Sequence, residues 1–346
     1  MGSTAVPEIV TPEWRMHVPD THTAAERNIH QPIPFGWYAL SYSDELAIGE
    51  VKPLHYFGRD LVLFRTEAGE AKALDAYCPH LGAHLGHGGK VRGESIACPF
   101  HGWEFNGGGQ CTAVPYAKNM PPKVAGGKQA IHAYPIVERN QQIWAWYHPH
   151  NAAPSFEIEA LPEMSDADWT PLDRYEWLIR APLQDMAENG ADPAHFLYVH
   201  GTKNRPEADL NFGVNRMTGI IEAKMETPRG VVDGRISTFT VGPGQSWVRF
   251  TGICETLLVT ALTPISADLI HARFAYTQPR AQQEGPTARL AGAIIRDLTN
   301  QVDQDKPVWD HKMFWDRPLL CDGDGPIAQF RKYYSQYYAA DEAKSA

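Results

Sequence analysis

Two short boxes, Cys78-Pro-His80 and Cys98-Pro-Phe-His101, constrain the fold of this chain more than any other feature of its sequence. Each box offers one thiolate and one imidazole, and 17 residues separate His80 from Cys98. Such donors can hold a structural zinc ion or an iron–sulfur cluster. Zinc knuckles usually pair cysteines in one loop and histidines in another. Here each loop gives one of each, which suits a [2Fe–2S] cluster with thiolates on one iron and imidazoles on the other. Gly82, Gly86, Gly88, Gly89 and Gly102 allow tight loops that bring backbone N–H groups close to sulfides. His84 and His87 fall outside the ligand pattern, and Cys111, Cys254 and Cys321 read as ordinary thiols.

A second constellation lies in the segment ENGADPAHFLYVHGT, which holds Asn189, Asp192, His195 and His200. The stretch Ala181–Val199 predicts a helix interrupted at Pro193. On a helix, Asn189, Asp192 and His195 share a face through i, i+3 spacing. His200 follows His195 by five residues, so on an ideal helix the two rings diverge by about 140°. They converge on one metal only if the helix bends or ends, which Pro193 and Gly201 permit. Two histidines and one carboxylate make the facial triad of non-haem iron(II) oxygenases. The carboxylate must come from elsewhere, and QVDQDKPVWDHKMF offers Asp303, Asp305 and Asp310.

The stretch Tyr77–Phe105 resembles the Rieske motif C-x-H-x(15–17)-C-x-x-H. Ala83 and Phe100 stand where respiratory-chain Rieske proteins carry an extra disulfide, so the resemblance is to the oxygenase and ferredoxin branch. Asn189, Asp192, His195 and His200 fall in order on N-x-x-D-x-x-H-x₄-H of Rieske oxygenase catalytic domains. Gln304-Asp305 with Trp309 resembles the family's QD-x-x-x-W, which implies Asp305 as the third ligand of a mononuclear Fe(II), with Asp303 the fallback. HLGAHLGHGG (80–89), CPFHGWEF (98–105), AHFLYVHG (194–201) and WDHKMF with PLLCDGDGP (309–326) resemble the cholesterol 7-desaturase and 3-ketosteroid 9α-hydroxylase type. The likeness spans most of the chain, from about Gly36 to Tyr338.

The resemblance implies an oxidoreductase that uses O₂ as co-substrate, with the cluster relaying electrons one at a time. Cys78, His80, Cys98 and His101 would hold the cluster, and His195, His200 and Asp305 the iron. Asn189 and Asp192 would serve the active site. In the family, the carboxylate corresponding to Asp192 bridges His195 to a cluster histidine, His101 or His80, of the adjacent chain in a head-to-tail homotrimer. The sequence has no complete G-x-G-x-x-G after a strand, so NAD(P)H and flavin are expected on a separate reductase, with or without a ferredoxin. The expected reaction is hydroxylation or desaturation of a small apolar substrate, a sterol or steroid. Two alternatives remain open: a Rieske monooxygenase, hydroxylase or dealkylase, for a non-steroid alicyclic or aromatic compound, and an electron carrier with a degenerate second site. Iron content separates the carrier, which lacks the mononuclear iron.

Composition narrows the class. The chain has 346 residues, 43% hydrophobic and 21% charged, enough for two globular domains. Its formal net charge of −10 argues against nucleic acid as partner. No run of about 18 apolar residues predicts a membrane span, and no signal peptide is visible. Animal desaturases of the type carry an N-terminal membrane segment, which this sequence does not show. Five cysteines, an odd number, do not make a disulfide scaffold, and the expected compartment is the cytoplasm. The fold class expected is α+β. An N-terminal arm (1–34) leads into a β-rich Rieske domain (35–150), with strands at Trp37–Ser41, Leu61–Arg65, Ala71–Ala76 and Ile143–Tyr147. A catalytic domain (151–346) follows, with an antiparallel sheet flanked by helices. Its predicted strands are Val231–Thr240, Ser246–Cys254, Thr256–Thr263 and Leu269–Thr277, and its late helices are Ala288–Val302 and Pro326–Tyr338. Trp247, Phe250, Leu258 and Leu262 are candidates to line an apolar pocket.

Overall fold

The computed structural model describes residues 11–19, 22–203, 205–227, 230–284 and 287–340. The chain forms two compact units, one built on Ile33–Ala160 with Thr263–Ser266, the other on Leu161–Leu262 and Ala267–Tyr338 with the N-terminal segment up to Pro32. No helix among the described residues is long and apolar enough to cross a membrane.

The first unit is almost entirely short strands: β1 (Gly36–Tyr42), β2 (Val51–Tyr56), β3 (Arg59–Arg65), β4 (Ala71–Asp75), β5 (Lys90–Arg92), β6 (Ser95–Ala97), β7 (Glu104–Asn106), β8 (Cys111–Ala113), β9 (Ala133–Tyr134), β10 (Ile136–Arg139) and β11 (Gln142–Tyr147). They make three small antiparallel sheets, ordered β1-β11-β10, β2-β3-β4-β9 and β5-β6-β7-β8. All of β1 and β11 is buried, which explains why their sequences, GWYALSY and QIWAWY, are apolar without alternation. A core of Val62, Phe64, Leu74, Leu85, Ile96 and Phe105 packs directly against Cys78, Cys98 and Trp103. Both cysteine boxes are thereby rooted in a buried core of the unit.

The second unit holds one large antiparallel sheet. Its strands are β12 (Asp173–Ile179), β13 (Ala208–Gly213), β14 (Arg216–Thr227), β15 (Gly230–Val241), β16 (Gln245–Thr251), β17 (Thr256–Ser266) and β18 (Leu269–Thr277), in the order β12-β18-β17-β16-β15-β14-β13. Four α-helices accompany it among the described residues: α1 (Leu183–Glu188), α2 (His195–Tyr198), α3 (Thr287–His311) and α4 (Ile327–Tyr334). The expected helix over Ala181–Val199 is therefore two short pieces. Asp192 is extended (φ −109°, ψ 91°), which interrupts the helix just before Pro193. The strand expected to reach Cys254 ends at Thr251, and Cys254 sits in the turn that follows.

Helix α3 outruns its expected end by nine residues, from Val302 to His311, and passes through Pro307. Proline inside a helix removes one hydrogen bond and crowds the preceding turn. Anchors on both sides of it explain why the helix continues. Lys306 donates to the His17 carbonyl (2.9 Å) and to Asp310 (2.5 Å), both charges being nearly fully buried. Arg27 donates to the Trp309 and Lys312 carbonyls (2.8 and 2.7 Å). Arg15 forms a two-pronged pair with Asp303 (2.9 and 2.6 Å), and the Trp177 indole N–H also donates to Asp303 (2.7 Å). The arm ahead of the first unit is thus a strap across α3.

Removing one partner of a mostly buried ion pair leaves the other charge stranded. Asp303→Ala should therefore destabilise the second unit by roughly 3 kcal/mol. Calorimetry should show a lower transition for that unit while the visible absorbance of the first unit's chromophore is unchanged. An unmoved transition would mean the strap contributes nothing.

Candidate active site and metal centres

In the first unit the two cysteine loops repeat one hydrogen-bond pattern. The Cys78 N–H donates to the Ala83 carbonyl and the Gly82 N–H to the Cys78 carbonyl, both at 2.9 Å. Equivalent bonds run from Cys98 to Trp103 (2.8 Å) and from Gly102 to Cys98 (3.0 Å). Each loop closes through a glycine with positive φ, 77° at Gly82 and 71° at Gly102, a conformation that a Cβ would strain. The loops face each other. The His80 and His101 rings lie 4.8 Å apart at 73°, and His80 stacks on Trp103 at 4.7 Å. Trp103 is itself tied to the Tyr116 hydroxyl (2.9 Å). Burial pushes the Cys78 thiol up to about 11, and the adjacent Cys98 thiol adds to the effect. His101 Nδ1 is buried without a hydrogen-bond partner among the described residues.

These donors form a thiol pair and an imidazole pair. Among the described residues the only group of three or more His, Cys, Asp or Glu ligand atoms within 4.8 Å of one another is a different one, in the second unit. Four donors that do not converge on one point do not make a zinc site, whereas a two-iron cluster needs them spread as two pairs. The orphaned His101 Nδ1 is suited to a metal bond, so the residues fit a [2Fe–2S] cluster. His84 accepts the Gly86 N–H (3.0 Å) and His87 is exposed, so neither joins the donor set.

The group that does converge is His195, His200 and Asp305. The break at Asp192 and Pro193 lets His195 start a new turn, and the chain leaves that turn before His200. The two rings end 5.1 Å apart and nearly perpendicular, at 82°. His200 Nε2 lies 3.5 Å from Asp305 Oδ2. Both imidazoles are oriented through their other nitrogen. His195 Nδ1 donates to the Asp192 carbonyl, and His200 Nδ1 donates to Gln304 Oε1 (2.9 Å). That fixes the tautomers and turns both Nε2 lone pairs toward the carboxylate. Asn189 completes the arrangement, its amide donating to His195 Nε2 (3.2 Å) and Asp305 Oδ2 (3.4 Å). Burial lowers the His195 pKa and keeps the ring neutral, as a ligand must be. Burial also pushes Asp305 up to about 6, against the pull of His200 and Asn189.

Of the carboxylates that the sequence offered on α3, Asp305 faces the histidines, Asp303 faces Arg15 and Trp177, and Asp310 takes Lys306 and the Arg180 N–H. The Asp192 carboxylate accepts the Ala194 N–H (2.9 Å), and its second oxygen stands 4.0 Å from His195 Nδ1. Sequence reasoning used Gln304 only as part of a pattern and missed its grip on His200. Its position one residue before Asp305 was the available signal.

A cavity of about 700 Å³ opens beside the triad, within the range of small-molecule sites. Phe250, Leu258 and Leu262 line it, as expected. Trp247 does not, because strand alternation turns it to the opposite face, where it stacks on Phe239 at 5.4 Å.

Comparison with known proteins completes the description. Residues 36–135 match the Rieske [2Fe-2S] domain, and residues 145–338 match the 3-ketosteroid 9alpha-hydroxylase C-terminal domain. Cholesterol 7-desaturase nvd 1 of Ciona intestinalis is 30% identical over 339 residues, which are 90% of this chain and 70% of that protein. A 3-ketosteroid-9-alpha-monooxygenase oxygenase component of Rhodococcus rhodochrous is 29% identical over 335 residues, 88% of this chain and 83% of that one. The crystal structure of dicamba monooxygenase bound to dicamba has the same fold, with a TM-score of 0.69 at 20% identity over 87% of this chain and 96% of that one.

Two outcomes follow from the geometry. Cys78→Ser or His101→Ala should bleach the cluster, and a full Rieske EPR signal in either variant would refute the ligand assignment. A metal must also displace the proton that Asp305 holds below about pH 6. Iron(II) affinity of the protein stripped of its mononuclear iron should therefore fall about tenfold per pH unit below that point and be flat above it as far as this group is concerned. Ferrous titrations between pH 5 and 7.5 measure this, with Asp305→Asn as the control that loses both the dependence and most of the affinity.

Proposed function

Since this chain belongs to the Rieske non-haem iron oxygenases, in the family that carries the 3-ketosteroid 9α-hydroxylase C-terminal domain, we propose that it hydroxylates or desaturates a sterol or steroid. The observation that carries the substrate class is the large, mostly apolar cavity directly beside the histidine–aspartate triad. The relatives' names add weight, since one is a cholesterol desaturase and the other a ketosteroid monooxygenase. The chain is an oxidoreductase in either case. A non-steroid substrate is the second reading, favoured by the fold's likeness to dicamba monooxygenase.

In this reading Cys78, Cys98, His80 and His101 hold the cluster, and His195, His200 and Asp305 hold the iron. When bound, the cluster supplies electrons one at a time and the iron supplies the site of O₂ activation. The protein's own work is positional. Gln304 and the Asp192 carbonyl hold the imidazole rings in place, while Asn189 spans two ligands from the side. The apolar walls exclude water and press the substrate against the triad.

The electrons come from a separate NAD(P)H- and flavin-dependent reductase, consistent with the term "oxygenase component" in the relative's name. We place the chain in a head-to-tail homotrimer, in which Asp192 of one protomer accepts a hydrogen bond from the cluster-bound His101 of its partner. Three features support this. The Asp192 side chain is about one-third exposed (36%). Its carboxylate has an oxygen not used by Ala194. Leu81 and Phe100, beside the cluster histidines, are exposed apolar groups of the kind that interfaces cover.

Turnover of a compound panel of sterols, ketosteroids and alicyclic or aromatic acids, with NADH, a reductase and O₂, tests the substrate class. Product only from the non-steroid compounds would replace the first reading with the second. Asp192→Asn should keep both metals and let the reductase reduce the cluster, yet slow cluster reoxidation and product formation by orders of magnitude. Stopped-flow reoxidation at the parent rate would remove the bridge.

A further inference from the structure

The cavity beside the triad is lined mostly by apolar groups; Asp297 and Gln301 reach it from α3, and on the sheet side its hydroxyls are concentrated near one end. Thr240 pairs with Ser246, and Ser246 with Thr260, so three hydroxyls stand in one row across β15, β16 and β17. All three line the cavity. The next row, Thr238, Val248 and Leu258, keeps a single hydroxyl, and the row beyond it, Ile236 beside Phe250, is hydrocarbon.

The hydroxyl row lies at the metal end. Met217 pairs with Thr240 in the sheet. A Cβ on Gly190 would lie 3.7 Å from Met217 Cε, and Gly190 follows Asn189, which bonds both His195 and Asp305. From Thr240 to Ile236 is four residues of strand, roughly 13 Å at about 3.3 Å per residue. The sheet wall of the cavity is therefore richest in hydroxyls near the triad and is hydrocarbon at the Ile236–Phe250 row.

The hydroxyls retain bonding capacity. Ser246 and Thr260 bond each other at 2.5 Å, and Thr260 also lies 3.3 Å from the Ser246 carbonyl. That arrangement consumes donors and leaves oxygen lone pairs free to accept. The Thr240 hydroxyl has no hydrogen-bond partner among the described residues, so it can donate. Polar groups facing an apolar chamber cost free energy unless something meets them.

We propose that this row orients the substrate. It grips an oxygen function at one end of an otherwise hydrocarbon molecule, so that end lies beside the triad and the hydrocarbon end lies against Ile236 and Phe250. The proposal rests on the apolar-substrate reading above and deepens it. The oxidised carbon is then a few bonds from the substrate's own oxygen and never at the distal hydrocarbon end. Alcohol and ketone both fit, because Thr240 donates while the Ser246–Thr260 pair accepts.

Thr240→Val and Ser246→Ala test this in the intact holoenzyme. Thr240→Val keeps the β-branched shape and breaks no internal bond of the side chain. Each variant is compared with the parent on two matched pairs, a 3-oxygenated steroid with its 3-deoxy counterpart, and a bicyclic terpenoid alcohol with its parent hydrocarbon. Iron and cluster contents are measured alongside. The expected result is a KM raised about tenfold for the oxygenated member only, the worth of one hydrogen bond, with products spread over more positions and the deoxy member unchanged. Equal effects on both members, or no effect on either, would overturn the orienting role. A parent enzyme that turns over only the terpenoid pair removes the steroid reading and leaves the row to be judged on that pair. A parent that turns over neither pair overturns both ideas.

Discussion

The Asp305 carboxylate can meet two imidazoles only if the long helix carrying it is held from its other faces. His200 and Gln304 touch across 104 residues of sequence, so no local geometry sets their distance. The helix is fixed instead by buried charge. Lys306 and Asp310 pair with each other, Asp303 takes Arg15 and Trp177, and Arg27 caps carbonyls near the helix end. The partner segment is pinned in the same way, with Asp185 bonded to Lys312 (2.6 Å) and Glu188 gripped by Arg331 at 2.6 and 2.9 Å. Buried pairs are a poor source of net stability, but they tolerate only one geometry. Here that property serves a triad whose side chains come from separate segments.

The cluster site solves the same problem by local means. Each loop carries its own hydrogen-bonded turn and its own positive-φ glycine, and both rest on the core around Phe64, Leu85 and Phe105. A site built from two copies of one turn depends on nearby residues alone. Its spacing is therefore visible in the sequence, whereas the triad's is not.

That contrast explains what the sequence could reveal. Cys78, His80, Cys98 and His101 are legible because their geometry is local. His195 and His200 are legible only with the break at Pro193, and the helix drawn over Ala181–Val199 was too long because Asp192 leaves helical space. Choosing among the acids of α3 needed family resemblance. Residues two apart on a helix point about 200° from each other, so Asp303 and Asp305 cannot serve the same site, but nothing local says which one faces the histidines. The first strands of the large sheet, β12, β13 and β14, were not called, since their pairing partners lie far along the chain or carry mixed polarity. Trp247 and Phe250 are both candidates from one strand, but alternation puts Ser246, Val248 and Phe250 on the cavity face together and Trp247 on the other.

The cavity and the metal site also depend on each other. The burial that favours a hydrocarbon substrate raises Asp305 to about 6 and lowers His195. A neutral imidazole is ready to bind metal, but a carboxylate that wants its proton is not. A divalent cation held there would reverse the second effect, since its charge would replace the solvent that the carboxylate has lost. With such a cation in place the apolar walls could approach the triad closely, its charge compensating the carboxylate. A row of hydroxyls at that end of the sheet wall, thinning to hydrocarbon at Ile236 and Phe250, is the polarity such a compromise permits. It gives the substrate's one polar group a place beside the metal without hydrating the rest of the chamber.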